Sequence, residues 1–459
     1  MADETPPPAF VGAGVIDLMG SSIGATTEAV SISGTTATIT AGGEYTLRGT
    51  LDKGQIVVDA AEEGARVILH LDGVNISNAA EPCILVRQCD KLKLVLDEGS
   101  ENKLVSGTEG ELTEAAEDAN GGVIFSEDDL DFEGSGRLEL FGYINNGVTC
   151  KDDLAVQGGE ITVIAANNGL RGSESVEIES GTLHITALGD GIKSTSAKKE
   201  NKGYVAVQGG EITVECGGDG IAAETQLLIS GGSLTVTTSG EPELGSAKAL
   251  KGKTGVQISG GSFTLNSTDH AIRSGAEMEI SGGSFSIRST MGRGLSAKGD
   301  ILIQGEPDFI VDAIEDGIYS ESELAIEGGS FSIAAGEDGL HAGQSGSGEG
   351  IINISGGSIL ISAYQDGVDA KLALNISGGD LLACGKYRNL KGASADSSQS
   401  SIFTALSGHA GSELTVTDEG GSVIGSFNAV YPFSHVLFSR ANLGACSFCC
   451  DGDRVDAKP

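Results

Sequence analysis

Residues 255–295 read GVQISGGSFTLNSTDHAIRSGAEMEISGGSFSIRSTMGRGL, and this stretch decides the fold. Val256 and Ile258 alternate with polar neighbours before the Gly260-Gly261 turn, and Phe263 and Leu265 alternate after it. The pattern restarts at Met278, passes Gly282-Gly283 and reaches Phe285. Strict alternation places every second side chain on one face of a β-strand. Outward from this stretch, an (Asp/Asn)-Gly-(Ile/Leu/Val) step opens most units, and the residue before its apolar member falls at Gly147, Gly169, Gly191, Gly220, Ala249, Ala271, Gly294, Gly317, Gly339 and Gly367. The intervals run from 22 to 29 residues.

A period in the low twenties admits a leucine-rich horseshoe or a parallel β-helix. The leucine-rich signature does not occur, and what recurs is alternation broken by Gly-Gly turns, so the chain is expected to be all-β: a right-handed parallel β-helix, a single-stranded solenoid with coils of about 22 residues. Right-handed winding is favoured because left-handed β-helices carry a hexapeptide repeat that this chain lacks. The 71 glycines suit a chain that turns a corner every few residues. Phe263, Phe285, Phe309 and Phe331 hold equivalent positions and should stack inside as an aromatic ladder. Cys150 aligns with Gly172, Ser194, Ala223 and Ala342 at a small inward position, where a thiol serves as core filler.

The expected organisation is an irregular N-terminal tail at 1–28 and a β-helix domain at 29–440. Within that domain, 29–121 form less regular capping coils, 122–392 regular coils and 393–440 C-terminal coils; a Cys-containing tail occupies 441–459. Net charge is −37, which disfavours nucleic acid as a partner and suits an extracellular or cell-surface protein that attracts divalent cations. Met1 to Pro8 show no basic or apolar run of the kind that opens an export signal, and no stretch is long enough to span a membrane. A monomer is expected. Cys83 and Cys89 could pair, and the cluster Cys446, Cys449, Cys450 lacks the fourth ligand of a structural zinc site.

The run Leu69-His70-Leu71-Asp72-Gly73-Val74-Asn75-Ile76, the segment Glu98-Gly99-Ser100-Glu101-Asn102, the paired SEDDL (126–130) and CKDDL (150–154) and the DGI and SGG repeats together resemble a family of bacterial carbohydrate-binding proteins. The resemblance covers roughly residues 30–440. It implies a pectate-lyase-like β-helix that binds calcium and holds acidic or cellulosic polysaccharide without cleaving it.

Two stripes of side chains could carry that function. The residue after each apolar step must point outward if its neighbours point in. Among the twelve residues at this position are Phe125, Arg171, Lys193, Lys251, Arg273, Tyr319, His341 and Asp369, a largely cationic and aromatic set that suits an extended acidic glycan: rings stack on sugar faces, and guanidinium groups grip carboxylates. Solubilising an exposed strand is the plainer role for such cations. Three positions upstream of this stripe run Asn146, Asn168, Asp190 and Asp219, then Lys248, His270 and Arg293, then Asp316, Asp338 and Asp366. Carboxylates ~4.8 Å apart repel, and a calcium ion with oxygen ligands would compensate. Asp before Gly is equally ordinary turn chemistry, its oxygen bonding nearby amides.

The strongest calcium candidates in the sequence are Asp128, Asp129, Asp152 and Asp153, two acidic pairs at matching points of adjacent coils. The leading expectation is calcium-dependent, non-catalytic polysaccharide binding; a calcium-dependent pectate lyase and a structural adhesin are the alternatives. A lyase would need an Arg base such as Arg171, Arg273 or Arg293, and the sequence displays no tight grouping of Arg with several carboxylates in neighbouring coils.

Overall fold

The computed structural model describes residues 12–110, 112, 121–197, 201–243, 245–344, 346, 348–386 and 392–459. The chain divides into two compact units, Met1–Thr225 and Gln226–Pro459. Among the described residues every regular element is a β-strand. No helix is long and apolar enough to cross a membrane.

In the first unit three parallel ladders run side by side, giving about three strands per repeat. One joins Lys91–Leu96, Asp129–Gly134, Asp153–Val156, Ser175–Ile178 and Tyr204–Val207. A second joins Glu101–Ser106, Arg137–Gly142, Glu160–Ala165, Thr182–Ala187 and Glu211–Cys216. The third consists of short strands, from Thr36–Ile39 through Gly122–Ser126 and Leu170–Gly172 to Ile221–Ala223. The second unit repeats this plan, with short strands from Leu250–Gly252 to Val368–Ala370. Both units are thus all-β and solenoid-like, as the periodicity predicts.

The interior follows the alternation. Along Ser262–Ser267 exposed and buried residues alternate, with Phe263 and Leu265 inside. Phe263, Phe285, Phe309 and Phe331 stack with centroid spacings of 4.5, 4.5 and 5.1 Å. The glycines have two separate duties. Gly283 sits at φ +108°, where a Cβ would also lie 3.1 Å from the Gly261 carbonyl oxygen. Gly317, in the DGI step, is bare for lack of room: a Cβ would meet Ile333 Cγ2 at 2.4 Å.

The termini depart from expectation. Residues 12–25 of the expected tail form the strands Gly12–Gly20 and Ile23–Ala25, and the first of these pairs in parallel with Gly43–Asp52; residues 1–11 lie outside the described residues. Beyond residue 400 the expected coils give way to antiparallel structure. Phe433–Ser439 runs antiparallel to both Asp380–Gly385 and Ser401–Gly408, which covers the last ladder strand. Glu413–Asp418, Val423–Asn428, Cys446–Cys450 and Asp453–Ala457 form a separate four-stranded antiparallel sheet. Cys446 and Cys450 are buried in the core beneath that sheet, so 441–459 is no tail. Cys83 and Cys89 are free thiols, each pushed up to about 12 mainly by burial. Cys150 is buried and donates to the carbonyls of Asp128 and Asp153, in keeping with a core filler.

Candidate metal and glycan-binding sites

The upstream Asn/Asp stripe has a structural function that explains its residue types. In the first unit Asn146 Oδ1 accepts the N–H of Asn168 at 2.9 Å, Asn168 Oδ1 accepts that of Asp190 at 3.0 Å, and Asp190 Oδ1 accepts that of Asp219 at 2.6 Å. In the second unit Asp316 Oδ1 accepts from Asp338 at 3.2 Å and Asp338 Oδ1 from Asp366 at 2.8 Å. His270 holds the same post, its Nδ1 accepting the Arg293 N–H at 3.0 Å. The position therefore wants an acceptor that caps the next repeat's amide. The His270 imidazole is accordingly held neutral, pushed down to about 4 chiefly by burial.

One carboxylate oxygen of Asp190, Asp316 and Asp338 is thus committed to the backbone, and the second oxygen is where charge gathers. In the second unit Asp316 Oδ2 lies 2.7 Å from Arg293 Nε and 3.3 Å from His341 Nδ1. Asp338 Oδ2 lies 3.6 Å from the same imidazole nitrogen. Oxygens of Asp338, Asp366 and Asp369 converge within 4.8 Å, all three residues buried; a second grouping joins Asp316, Asp338 and His341. Lys371 pairs with Asp369.

The electrostatics follow from these contacts. Burial opposes ionisation of Asp316, but the hydrogen bond and charge of His341 and the charge of Arg293 outweigh it and hold this carboxyl below the usual range. Asp338 lacks so close a cation. Burial, with the Asp316 charge beside it, pushes it up to about 7. Burial also opposes charge on His341, yet Asp316 and Asp338 together raise it.

The outward stripe of this unit runs Lys251, Arg273, Ser296, Tyr319, His341 and Asp369 in register. Tyr319 is only 5 % exposed, because the Arg293 guanidinium sits 3.9 Å above its ring and His341 meets it edge-on at 4.9 Å. Its ring therefore braces Arg293, and a sugar cannot stack there without displacing it. Lys251 is half-buried and contacts Ser246 Oγ at 3.3 Å. Arg273 is half-buried beside Ser296, its pKa lowered by burial and then by Arg293.

In the first unit Phe125, Arg171 and Lys193 share the short-strand ladder. Phe125 is 9 % exposed and helps line a hollow of about 260 Å³ with Leu85, Pro82 and Ile144. Lys193 pairs with Asp190 at 2.7 Å. The two DDL motifs converge in part: Asp129, Asp152 and Asp153 gather within 4.8 Å. Asp128 turns away to accept the Cys89 N–H at 2.9 Å. Two lysines already serve this group, Lys202 at 2.6 Å from Asp153 and Lys91 at 3.7 Å from Asp129. A metal here would have to compete with them. In the all-oxygen group of Asp338, Asp366 and Asp369 the competitor is Lys371 on Asp369; this group is the more deeply buried of the two, and burial drives Asp338 toward neutrality in the absence of a cation.

A family model described as carbohydrate-binding domain-containing protein matches residues 33–292 and 285–430. The chain belongs to that family. A relative from Acetivibrio thermocellus, also named a carbohydrate-binding domain-containing protein, is 40% identical over 214 residues, which is 47% of this chain and 74% of the relative. A solved structure described as the polysaccharide lyase-like protein from C. thermocellum, gadolinium derivative, is 34% identical and covers 50% of this chain and 92% of its own, with a TM-score of 0.46.

In this carbohydrate-binding domain protein, sequence reasoning gathered Asp316, Asp338 and Asp366 into one row but missed their partners. Arg293 appeared in the row only as an interruption, and Asp369 only as an outward residue. Arg293 lies 2.7 Å from Asp316 and 3.6 Å from Glu315, two consecutive carboxylates of one repeat. The DGVDA run at 366–370, with a second Asp three residues after the first, was the available signal for Asp369.

Proposed function

We propose that this chain binds polysaccharide without cleaving it, along the charged short-strand ladder of its second unit, with calcium held by Asp338, Asp366 and Asp369. The observation that carries the reading is the meeting, in a member of a carbohydrate-binding family, of buried acidic oxygens with Arg293 and Lys371 beside the same short-strand ladder that carries Arg273. Calcium bound there would neutralise the acidic oxygens and offer open coordination positions to a uronate carboxylate. The cations beside it favour an acidic, pectin-like glycan, Arg273 gripping a second carboxylate. We also propose the right-handed parallel β-helix as the architecture, a monomeric state and an extracellular or surface location; the parallel ladders support the first, and the acidic composition the last. Affinity electrophoresis in gels containing polygalacturonate tests the binding face. Lys251→Ala/Arg273→Ala should lose retardation, and undiminished retardation would remove the ligand from this ladder.

A pectate-lyase reading keeps one observation in its favour. Arg273, with its lowered pKa, is the guanidinium nearest to serving as a base. Arg293 is unsuited, since its guanidinium is held by the Asp316 carboxylate and over the Tyr319 ring. Appearance of unsaturated uronides from polygalacturonate in calcium would select this reading.

A further inference from the structure

Aromatic side chains are scarce in this protein, with 13 Phe, 7 Tyr and no Trp, and most described rings are at least half-buried. Among the described residues the exposed ones are Tyr364 at 38% and Phe403 at 37%, both in the second unit. The rings expected to stack on sugars, Tyr319 and Phe125, are covered. An exposed large ring needs a reason, and two joined by a chain of contacts need one more.

Those contacts are specific. Tyr364 meets Tyr431 edge-on with centroids 6.2 Å apart, and Lys386 Nζ lies 4.6 Å from the Tyr364 ring centre and 3.3 Å from its hydroxyl. The Lys386 carbonyl accepts from Ser434 Oγ at 2.7 Å, and that hydroxyl lies 2.8 Å from His435 Nδ1. The His435 ring stacks on Phe403 at 5.5 Å and 17°. Ser362 Oγ pins the neighbouring loop by accepting the N–H groups of Val430 and Tyr431 at 2.9 and 3.1 Å. The surface is therefore preorganised, which lowers the entropy cost of binding.

We propose that Tyr364 and Phe403 form a stacking platform for an uncharged pyranose chain, beside the last strand of the charged ladder. A pyranose offers flat C–H faces to the rings and hydroxyls to the polar groups around them, the mixed apolar and polar surface that Tyr, His and Ser present here. The charge of Asp312 acts on Tyr431 and disfavours a uronate on that side of the platform. Lys386 is engaged with Tyr364. Binding here should be indifferent to salt, unlike binding on the ladder.

This inference rests on the reading that the chain binds polysaccharide, and the test separates the two. The full chain is run in affinity gels containing hydroxyethylcellulose or polygalacturonate. Tyr364→Ala/Phe403→Ala should lose about tenfold or more in affinity for hydroxyethylcellulose and keep its retardation in polygalacturonate, while Tyr364→Phe/Phe403→Tyr should retain both. Tyr364→Ser alone, at an exposed position, covers the case in which the double variant fails to fold, and should weaken hydroxyethylcellulose binding selectively. Equal retardation of wild type and Ala or Ser variants in hydroxyethylcellulose overturns the platform. So does a wild type that binds polygalacturonate alone, and in that case the ladder reading stands. A wild type retarded in neither gel overturns both, and a variant that loses both ligands with an unchanged melt overturns their separation.

Discussion

Asp316 Oδ1 accepts the backbone N–H of Asp338 at 3.2 Å, while its other oxygen faces Arg293 at 2.7 Å. One carboxylate thus ties two repeats together and anchors a cation. Asp338 repeats the first half of this arrangement toward Asp366 at 2.8 Å but lacks so close a cation. The difference separates a structural Asp from one whose second oxygen is available to a metal.

Substitutions at Asp338 should divide these duties. Asp338→Asn keeps an acceptor for the Asp366 amide and removes a strained charge, so stability in urea without metal should be unchanged or improved. Asp338→Ala strands a buried N–H and should cost about 1–3 kcal/mol. Equal losses for both variants would show that the Oδ1 bond contributes nothing.

Calcium should raise the melting temperature, because an ion that binds only the folded state stabilises it. Asp366→Asn/Asp369→Asn should abolish most of that shift, while Asp152→Asn/Asp153→Asn, in a group already served by Lys202, should keep it. The reverse pattern would move the principal ion to the DDL motifs.

His70 bridges Asp97 through Nδ1 at 2.7 Å and Glu44 through Nε2 at 3.0 Å, tying its own strand to Gly43–Asp52 and to the turn that follows Lys91–Leu96 in the first unit. Burial opposes its charge, yet the bonds and charges of Asp97 and Glu44 raise its pKa above 6.5. With the folded value above the unfolded one, the stabilisation is full below the unfolded pKa and is lost as pH rises through the folded value. Between about pH 6 and pH 8 the wild type should therefore lose more urea resistance than His70→Gln. Parallel pH profiles would contradict the bridge.

The phenylalanine ladder should behave as core. Phe285→Ala opens a cavity between Phe263 and Phe309 and should cost about 3–5 kcal/mol, and Phe285→Leu distinctly less. A near-neutral Phe285→Ala would remove the ladder from the stabilising interior.

The ladders and their inward side chains were legible because both obey a fixed period: alternation selects the face, and Gly-Gly fixes where each strand ends. The antiparallel end was not, since the partners of Phe433–Ser439 depend on a chain reversal that leaves no periodic mark. In the site, the row of Asp residues could be read from spacing. Its meaning could not, because an Asp oxygen capping the next amide and one holding a cation leave the same letter in the sequence. Exposure was equally hidden: Tyr319 points away from the interior, as its register requires, and is then covered by Arg293 of the preceding repeat.

The most direct measurement is calorimetric titration of the full chain with oligogalacturonides too short to gel, in calcium and again in chelator. Calcium-assisted binding on the charged ladder predicts heat of binding in calcium that weakens with salt, vanishes in chelator and is lost in Asp366→Asn/Asp369→Asn. Binding of equal strength in chelator, or undiminished in that variant, would contradict it.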